Sequence, residues 1–296
     1  MNFKYLLNGK NYLKIFYKPS KVLPTLKIYW NALYNEAQER SDKKNDVKFK
    51  VTTDKYIISI YENSLFALER LTKYSAFNLQ VETIENVFGK GLDEINDCIQ
   101  LGNLFTKYGS DKATTHDYYI IYFYMLQDKK SEQLQILEIG LGTNNIDVMS
   151  NMGRFGKPGA SLKAFRDFLP NAIIYGADID KRVLFQEERI KTFFIDQTNI
   201  EVLNSVKEGF GKKKFDLIID DGLHNSEANL NVIEFGLDLL AENGILVIED
   251  IAERDLIYYK LLSVLFENKY SVRFIRTKIS CVCIITTFKQ NIFPIS

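Results

Sequence analysis

Two carboxylates and a histidine follow a short apolar run in the second half of the chain. The segment FDLIIDDGLH, residues 215–224, places Asp220 and Asp221 directly before a glycine and His224, which is one of only two histidines. A short apolar run between a lysine-rich turn and a glycine is typical of a buried strand in a parallel sheet. We therefore expect these polar groups at the carboxyl end of a strand, the edge at which open α/β sheets bind ligands.

A second apolar run ends in acids in the same way. The segment GILVIED, residues 244–250, ends at Glu249 and Asp250. If the two strands are neighbours, their backbones lie about 4.8 Å apart, and all four carboxylates crowd into one small volume. Carboxylates that close either have raised pKa values or share a cation. Oxygen ligands with a single imidazole nearby favour Mg²⁺, Mn²⁺ or Ca²⁺ over zinc.

Strand and helix patterns alternate from about residue 100 onward. Apolar strands are predicted at 134–139, 172–178, 192–195, 215–220 and 244–250. Helices are predicted at 161–168, 199–210, 225–242 (with Gly244 as its C-terminal stop) and 255–268. The segments 271–276 and 281–288 are predicted to close the sheet as an antiparallel pair. This alternation predicts a doubly wound α/β sheet with an antiparallel last strand.

The first part of the chain carries no chemical motif. We predict that residues 1–95 form an N-terminal accessory region, which serves homo-oligomerisation or encloses the substrate, and that residues 96–296 form the α/β domain. Helices are predicted at 64–75 and 81–104 within or next to the accessory region.

Composition argues against several classes of partner. Lys+Arg and Asp+Glu are equal at 38 residues each, so the charge gives no support for nucleic acid or an anionic membrane as the partner. The three cysteines form neither a metal-ligand motif nor a disulfide framework, which is typical of a reducing compartment. The longest apolar run, residues 118–126, is too short to span a bilayer, and the N-terminus has no signal-peptide pattern. We expect a cytoplasmic protein that acts on a small molecule or glycan.

A glycine turn follows the first strand of the alternating region. Glu138 is followed by Gly140 and Gly142, and glycines just past a buried strand let a ligand approach the backbone closely. Alone this is a weak signature, because the third glycine of the dinucleotide fingerprint is missing and a loop at 144–159 precedes the next helix.

Acids also close the next two strands. Asp178 ends the second strand, where a carboxylate can accept hydrogen bonds from both ribose hydroxyls of an adenosine. Asp196 and Gln197 end the third strand, where a side-chain acceptor can meet an exocyclic amine. Acids after successive strands are hard to explain by packing, because buried carboxylates are unfavourable unless they are used.

The order of these residues resembles a known signature. The series is similar to that of class I S-adenosylmethionine-dependent methyltransferases: Glu138, Gly140, Gly142, Asp178, Asp196 and Asp220. The sequence resembles more narrowly the metal-dependent sugar O-methyltransferases of the macrocin and mycinamicin type, over about residues 105–290. That narrower resemblance rests on these residues: Asp221, Gly222, Leu223, His224, Glu249 and Asp250, with Ser110, Asp111, Lys112 and His116 ahead of the first strand.

The resemblance implies an activity and a role for each residue. It implies a Rossmann-like methyltransferase fold, S-adenosyl-L-methionine and Mg²⁺ (or Mn²⁺) as cofactors, and a sugar hydroxyl as the acceptor in a polysaccharide, a nucleotide-sugar or a glycosylated natural product. His224 would be the general base, and the metal ligands would be Asp221, Glu249 and Asp250. The cofactor would be bound by a larger set: Lys112, Glu138, Gly140, Gly142, Asp178, Asp196, Gln197 and Asp220.

Several alternatives stay open. A nicotinamide-dependent oxidoreductase that binds NAD can use the same sheet. It leaves unexplained the acid cluster, which consists of Asp220, Asp221, Glu249 and Asp250. A non-catalytic scaffold of the methyltransferase fold has no reason to keep four buried polar groups. The acceptor can also be a phenol, as in catechol methyltransferases. Asp220 either faces the cofactor or braces the turn that follows it, and His116 is equally well a satisfied core histidine.

Overall fold

The chain divides into two compact units, residues 1–73 and 74–296. The computed structural model describes residues 59–60, 62–74, 79–266 and 269–287. In the first unit residues 62–71 are helical, which overlaps the helix predicted at 64–75 over residues 64–71. Most of the predicted accessory region lies outside the described residues.

Strands and helices alternate along the second unit. Its helices are α1 (Ile84–Phe88), α2 (Asn96–Tyr108), α3 (Tyr118–Leu126), α4 (Ala160–Phe168), α5 (Ile200–Phe210), α6 (Ser226–Leu239) and α7 (Leu256–Phe266). Its strands are β1 (Val81–Thr83), β2 (Gln135–Ile139), β3 (Ile173–Asp178), β4 (Gln186–Glu187), β5 (Ile190–Phe194), β6 (Phe215–Asp220), β7 (Leu240–Ile251), β8 (Tyr270–Arg276) and β9 (Cys281–Thr287). No helix of the described residues is long and apolar enough to cross a membrane.

The described strands form one nine-stranded sheet in the order β1-β8-β9-β7-β6-β2-β3-β5-β4. β2 pairs in parallel with β3 and β6, and β6 pairs in parallel with β7. β9 is antiparallel to both of its neighbours, β7 and β8. The predicted doubly wound Rossmann-like sheet with an antiparallel last strand is therefore confirmed. The chain order reverses at β2, and ligands of such sheets bind at the carboxyl ends of the strands around that point.

The side chains of the central strands alternate between two apolar layers. Leu217 and Val247 belong to the layer that packs against α2, α3 and α4, whereas Ile218 and Ile248 belong to the layer under α5, α6 and α7. Both layers are buried, which explains why these strands are continuous apolar runs in the sequence. Glu249 follows Val247 by two residues, so it lies on the face covered by α2–α4.

Two predicted helices differ in the structure. The helix predicted at 81–104 is β1, α1 and α2, because Gly89 and Gly91 adopt positive φ angles of 88° and 79° that interrupt a helix. β1 pairs with β8, and α1 contributes to the core layer that contains α2. The domain boundary at residue 95 stays a prediction. The helix predicted at 225–242 ends at Leu239, and Gly244 lies inside β7, where an added Cβ would be 2.8 Å from the carbonyl oxygen of Phe215.

Candidate functional site

The turn after β2 lies directly against the turn after β6. Gly140 has a φ of 98°, and an added Cβ there would lie 2.0 Å from the carbonyl oxygen of Asp221. The amide of Asp221 donates to the carbonyl oxygen of Ile139 at 2.8 Å, and the amide of Gly140 donates to that of Ala177 at 2.8 Å. The predicted cofactor turn and the predicted metal turn therefore form one continuous edge.

Replacing Gly140 by alanine should destabilise the protein. The added Cβ meets backbone and the φ angle is unfavourable for any side chain, so we expect Gly140→Ala to lower the free energy of unfolding by about 2 kcal/mol or more. Gly209→Ala is the matched control, because its Cβ on α5 would meet nothing within 4 Å. The control should keep or gain stability by up to about 1 kcal/mol in urea titrations. Equal stability of both variants would contradict the close contact at Gly140.

Asp178 holds the glycine turn to the end of β3. One carboxylate oxygen accepts a hydrogen bond from the amide of Leu141 and the other from the amide of Asp180, each at 2.8 Å. Burial raises the pKa of Asp178, and the amide donors oppose that rise only in part. Because a carboxylate has about four acceptor positions, the predicted contact with a ribose remains compatible with these bonds.

Asp180 is a buried acid that the sequence interpretation did not single out. Its carboxylate accepts hydrogen bonds from Thr143 Oγ1 at 2.6 Å, Asn145 Nδ2 at 2.7 Å and Arg182 Nε at 2.6 Å. The bond to Arg182 lowers the pKa of Asp180. These contacts join the start of the 144–159 loop to the end of β3. The only sequence signal is a second acid two residues after Asp178.

Asp220 and Gln197 support the turn after β6 from the α5–α7 side. Gln197 Nε2 donates to Asp220 Oδ1, and Gln197 Oε1 accepts from the amide of Leu223 at 2.9 Å. Asp220 is fully buried, burial raises its pKa to about 7, and its Oδ2 has no hydrogen-bond partner within the described part of the chain. These hydrogen bonds stabilise the turn after β6. A contact of Asp220 or Gln197 with the cofactor stays a prediction.

Asp196 is half-buried after β5. Its Oδ1 accepts hydrogen bonds from the amide of Thr198 at 2.9 Å and from the Thr198 hydroxyl at 2.7 Å. Its Oδ2 is the atom left for the predicted contact with an adenine.

Asp221, His224 and Asp250 converge at the carboxyl ends of β6 and β7. Each offers one ligand atom, and these atoms lie within 4.8 Å of one another. His224 Nε2 is 3.8 Å from Asp221 Oδ1 and 4.0 Å from Asp250 Oδ2. The structure therefore brings together two of the three predicted metal ligands and the predicted base.

Unusual backbone geometry positions two of these residues. His224 and Asp250 have φ angles of 52° and 54°, a region that non-glycine residues seldom adopt. The pairing of β7 with β9 is irregular between Ile248 and Ile251, next to Asp250. In a regular strand Glu249 and Asp250 would face opposite sides of the sheet. The irregularity lets both acids contact residues of α3, and such bulges occur often beside active sites.

Lys112 occupies the inner side of the acid cluster. Its ammonium is 2.7 Å from Asp221 Oδ2 and 3.3 Å from Glu138 Oε1, and it also contacts Glu249 Oε2. Burial would lower the pKa of Lys112, but the surrounding carboxylates outweigh burial and raise it well above its ordinary value. Burial raises the pKa of Glu249. Burial also acts to raise the pKa of Asp221, but Lys112 together with the other charges and hydrogen bonds around Asp221 outweighs burial and lowers this pKa. The predicted cofactor contact of Lys112 is untested by this arrangement.

Two tyrosines of α3 bind the acids at the end of β7. Tyr122 OH donates to Glu249 Oε1, and Tyr118 OH donates to Asp250 Oδ1 at 2.7 Å. They lie four residues apart, so both hydroxyls project from one face of the helix. The sequence analysis singled out neither tyrosine. The i, i+4 spacing of two tyrosines was the available signal.

Glu138 and His116 complete the surroundings. Glu138 is fully buried, burial raises its pKa, and its Oε2 accepts a hydrogen bond from Ser161 Oγ at 2.7 Å. His116 is buried and stacks on the ring of Tyr118 at a centroid distance of 4.4 Å, with Nδ1 3.7 Å from Asp250 Oδ1. The second histidine therefore lies close to the cluster.

Comparison with curated proteins finds sugar O-methyltransferases. The chain is 26% identical over 155 residues to 8-demethyl-8-alpha-L-rhamnosyl tetracenomycin-C 2'-O-methyltransferase of Streptomyces olivaceus, which covers 52% of this chain and 38% of the relative. It is 34% identical over 98 residues to mycinamicin VI 2''-O-methyltransferase of Micromonospora griseorubida, covering 33% and 22%. It is 29% identical over 125 residues to demethylmacrocin O-methyltransferase of Streptomyces fradiae, covering 42% and 29%. The matched regions thus span less than half of each relative.

Comparison with solved structures finds the same fold. MycE methyltransferase from the mycinamycin biosynthetic pathway, solved in complex with Mg, SAH and mycinamycin VI, superposes with a TM-score of 0.51 at 23% sequence identity, covering 65% of this chain and 56% of that chain. No protein-family model matches the chain. The resemblance inferred from the motifs is confirmed at the level of fold and sequence similarity: this chain has the Rossmann-like fold of class I methyltransferases and is similar in sequence to sugar O-methyltransferases.

Proposed function

We propose that this protein is an S-adenosylmethionine- and Mg²⁺-dependent O-methyltransferase that acts on a hydroxyl of a sugar. One observation carries the proposal: Asp221, His224 and Asp250 converge at the sheet edge, against the glycine turn that follows β2. Two carboxylates and an imidazole beside this glycine turn match what metal-assisted transfer to a hydroxyl needs. The sequence relatives, which are named as sugar O-methyltransferases, support the same acceptor class.

The residues after β2 and β3 fit an adenosine cofactor. S-adenosylmethionine supplies an electrophilic methyl group. Gly140 lets the turn after β2 pack directly against the turn after β6, because a Cβ there would collide with the backbone of Asp221. Asp178 and Asp196 retain acceptor capacity for the ribose and the adenine. Met152 packs against Gly142, so the 144–159 loop covers one side of the glycine turn.

The donor set at β6 and β7 fits a hard divalent cation. Mg²⁺ prefers oxygen ligands, and it would orient the acceptor hydroxyl and increase its acidity. Asp221 and Asp250 present carboxylate oxygens on one side, while Glu249 is the third proposed ligand and now contacts Lys112 and Tyr122. The side chain of His224 is 31% exposed, so an acceptor hydroxyl can reach Nε2 and transfer its proton there.

Cofactor binding gives a first test. S-adenosylhomocysteine at one hundred times its dissociation constant should raise the melting temperature by about 5–10 °C. Asp178→Ala should weaken this binding, because the variant loses the proposed ribose acceptor and the bond from the amide of Leu141 that holds the glycine turn. Asp238→Ala, a surface acid paired with Lys207, is the control and should bind as the wild type does. Wild-type affinity in Asp178→Ala would refute the assignment of the cofactor turn.

The acceptor class can be tested directly. Radiolabelled S-adenosylmethionine should transfer its methyl group to glycosides of deoxyhexoses or to nucleotide-sugars, and more slowly to catechols. Transfer to catechols alone would replace the sugar by a phenol. Tight binding of NAD in calorimetry, without binding of S-adenosylhomocysteine, would favour the oxidoreductase alternative.

A further inference from the structure

We infer that Lys112 is a resident cation of the acid cluster: it holds Asp221 and Glu249 together without a divalent ion and lowers the affinity of the cluster for that ion. The inference rests on the proposed function, which places a divalent cation at the same carboxylates. It assigns Lys112 a role in metal binding that differs from its predicted contact with the cofactor.

The surroundings of Lys112 consist of acids. Its side chain is 1% exposed, and its ammonium contacts Asp221 Oδ2 at 2.7 Å, Glu138 Oε1 at 3.3 Å and Glu249 Oε2. An ammonium without such partners is almost never fully buried, and three carboxylates without a cation would repel one another. Lysine and acids therefore stabilise each other in the absence of any metal.

The backbone delivers this lysine from a fixed position. Lys112 lies in a short 3₁₀ turn, Asp111–Ala113, between α2 and α3. The hydroxyl of Ser110 accepts from the amide of Lys112, and the carbonyl of Asp111 accepts from the amides of Thr114, Thr115 and His116. Such a tightly bonded turn keeps the ammonium close to the ends of β6 and β7.

Asp221 is shared between the lysine and the candidate metal group. Its Oδ2 contacts Lys112, while Asp221 also belongs to the group with His224 and Asp250 that can hold an ion. A divalent ion in that group would share a carboxylate with an ammonium. Like charges a few ångströms apart repel even in water, and more strongly in a buried site. Lys112 must therefore weaken divalent binding at Asp221 and at Glu249, the proposed ligand whose Oε2 it contacts.

Metal binding to Lys112→Met tests this inference. Methionine keeps an unbranched side chain but removes the charge. We expect Mn²⁺, titrated alone and followed by calorimetry or by the spin resonance of free Mn²⁺, to bind the variant about tenfold more tightly or better than the wild type. In EDTA the variant should melt at a lower temperature than the wild type, and Mn²⁺ should raise its melting temperature by more.

Lys163→Met is the matched control. Lys163, on α4, pairs at 2.8 Å with Glu187 on β4, an edge strand that is separated from β7 by four other strands of the sheet. Its loss removes one lysine–carboxylate pair outside the cluster, so Mn²⁺ affinity should stay at the wild-type value. If Lys112→Met does not fold, Mn²⁺ affinity is compared between Glu138→Gln and the double variant Glu138→Gln/Lys112→Met. The double variant loses one negative charge along with the positive charge of the lysine, so fewer carboxylates are left without a partner. The double variant should again bind Mn²⁺ about tenfold more tightly or better.

The outcomes separate the inference from the proposed function. Equal or weaker Mn²⁺ affinity in folded Lys112→Met overturns the role of Lys112 but leaves the metal site in place. A selective loss of S-adenosylhomocysteine affinity, with Mn²⁺ affinity unchanged, also overturns it and makes Lys112 a cofactor ligand. Failure of every variant and of the wild type to bind Mn²⁺ or Mg²⁺ overturns the metal part of the proposed function as well.

Discussion

Removing the divalent ion should abolish methyl transfer while leaving cofactor binding intact. We expect EDTA to lower the transfer rate by about 10³-fold or more, because a metal that orients and acidifies the acceptor is worth several kcal/mol. Mg²⁺ should restore the rate. Binding of S-adenosylhomocysteine, measured by thermal shift, should survive chelation because the glycine turn and Asp178 are held by bonds that need no metal.

Asp250→Asn should reproduce the effect of chelation in a single side chain. Asparagine keeps an oxygen that can accept the hydrogen bond from Tyr118, but it loses the charge that binds the cation. The variant should lose most activity and regain part of it in excess Mg²⁺. Asp255→Asn, in the segment that follows β7, is the control and should keep wild-type activity. Full activity of the wild type in EDTA would refute both the metal and the argument from the acid cluster.

The second large effect is expected from His224. A sugar hydroxyl stays mostly protonated near neutral pH, so transfer needs a base within reach, and an imidazole is the side chain most often used as a general base. We expect His224→Ala to lower kcat by about 10²–10⁴-fold while the affinity for S-adenosylmethionine changes by only a few-fold.

Mn²⁺ affinity decides which role His224 has. Because Nε2 lies 3.8 Å from Asp221 Oδ1 and 4.0 Å from Asp250 Oδ2, the imidazole is close enough to be a ligand as well as a base. A base that does not bind the ion leaves Mn²⁺ affinity within a few-fold of wild type in His224→Ala. A large loss of Mn²⁺ affinity would instead identify a ligand, and the search for the base would move to His116, 3.7 Å from Asp250.

Much of the fold and the place of the site follow from the sequence. Apolar runs that stop at Gly140, Asp178, Asp220 and Glu249 predict buried parallel strands, and parallel strands bring their carboxyl ends to one edge. The positions of Asp221 and Asp250 near each other follow from that geometry without any knowledge of the loops. The glycine after β2 is likewise favoured by a local rule, since a positive φ disfavours a side chain. Its close contact with the backbone of Asp221, by contrast, joins distant parts of the chain.

Which side chains contact the acids at the ends of β6 and β7 depends on the tertiary structure. Lys112 lies 109 residues from Asp221 and 137 residues from Glu249 along the chain, and no local pattern links residues so distant. The contacts of Tyr118 and Tyr122 with the acids depend on how α3 is laid over β7, which is set by packing of the whole apolar layer. The sequence of an apolar helix does not show whether the hydroxyl of a buried tyrosine forms a hydrogen bond with a distant residue.

Backbone irregularity marks the remaining limit of sequence reasoning. A regular strand would point Glu249 and Asp250 to opposite faces, but the irregular register of β7 and the positive φ of Asp250 bring both toward α3. Strain of this kind persists only where surrounding contacts over-determine it. The sequence by itself determines which residues reach the edge of the sheet, because strand periodicity is local. Only the folded chain decides which of them face Lys112 and which face a cation, because that choice depends on contacts made across the whole domain.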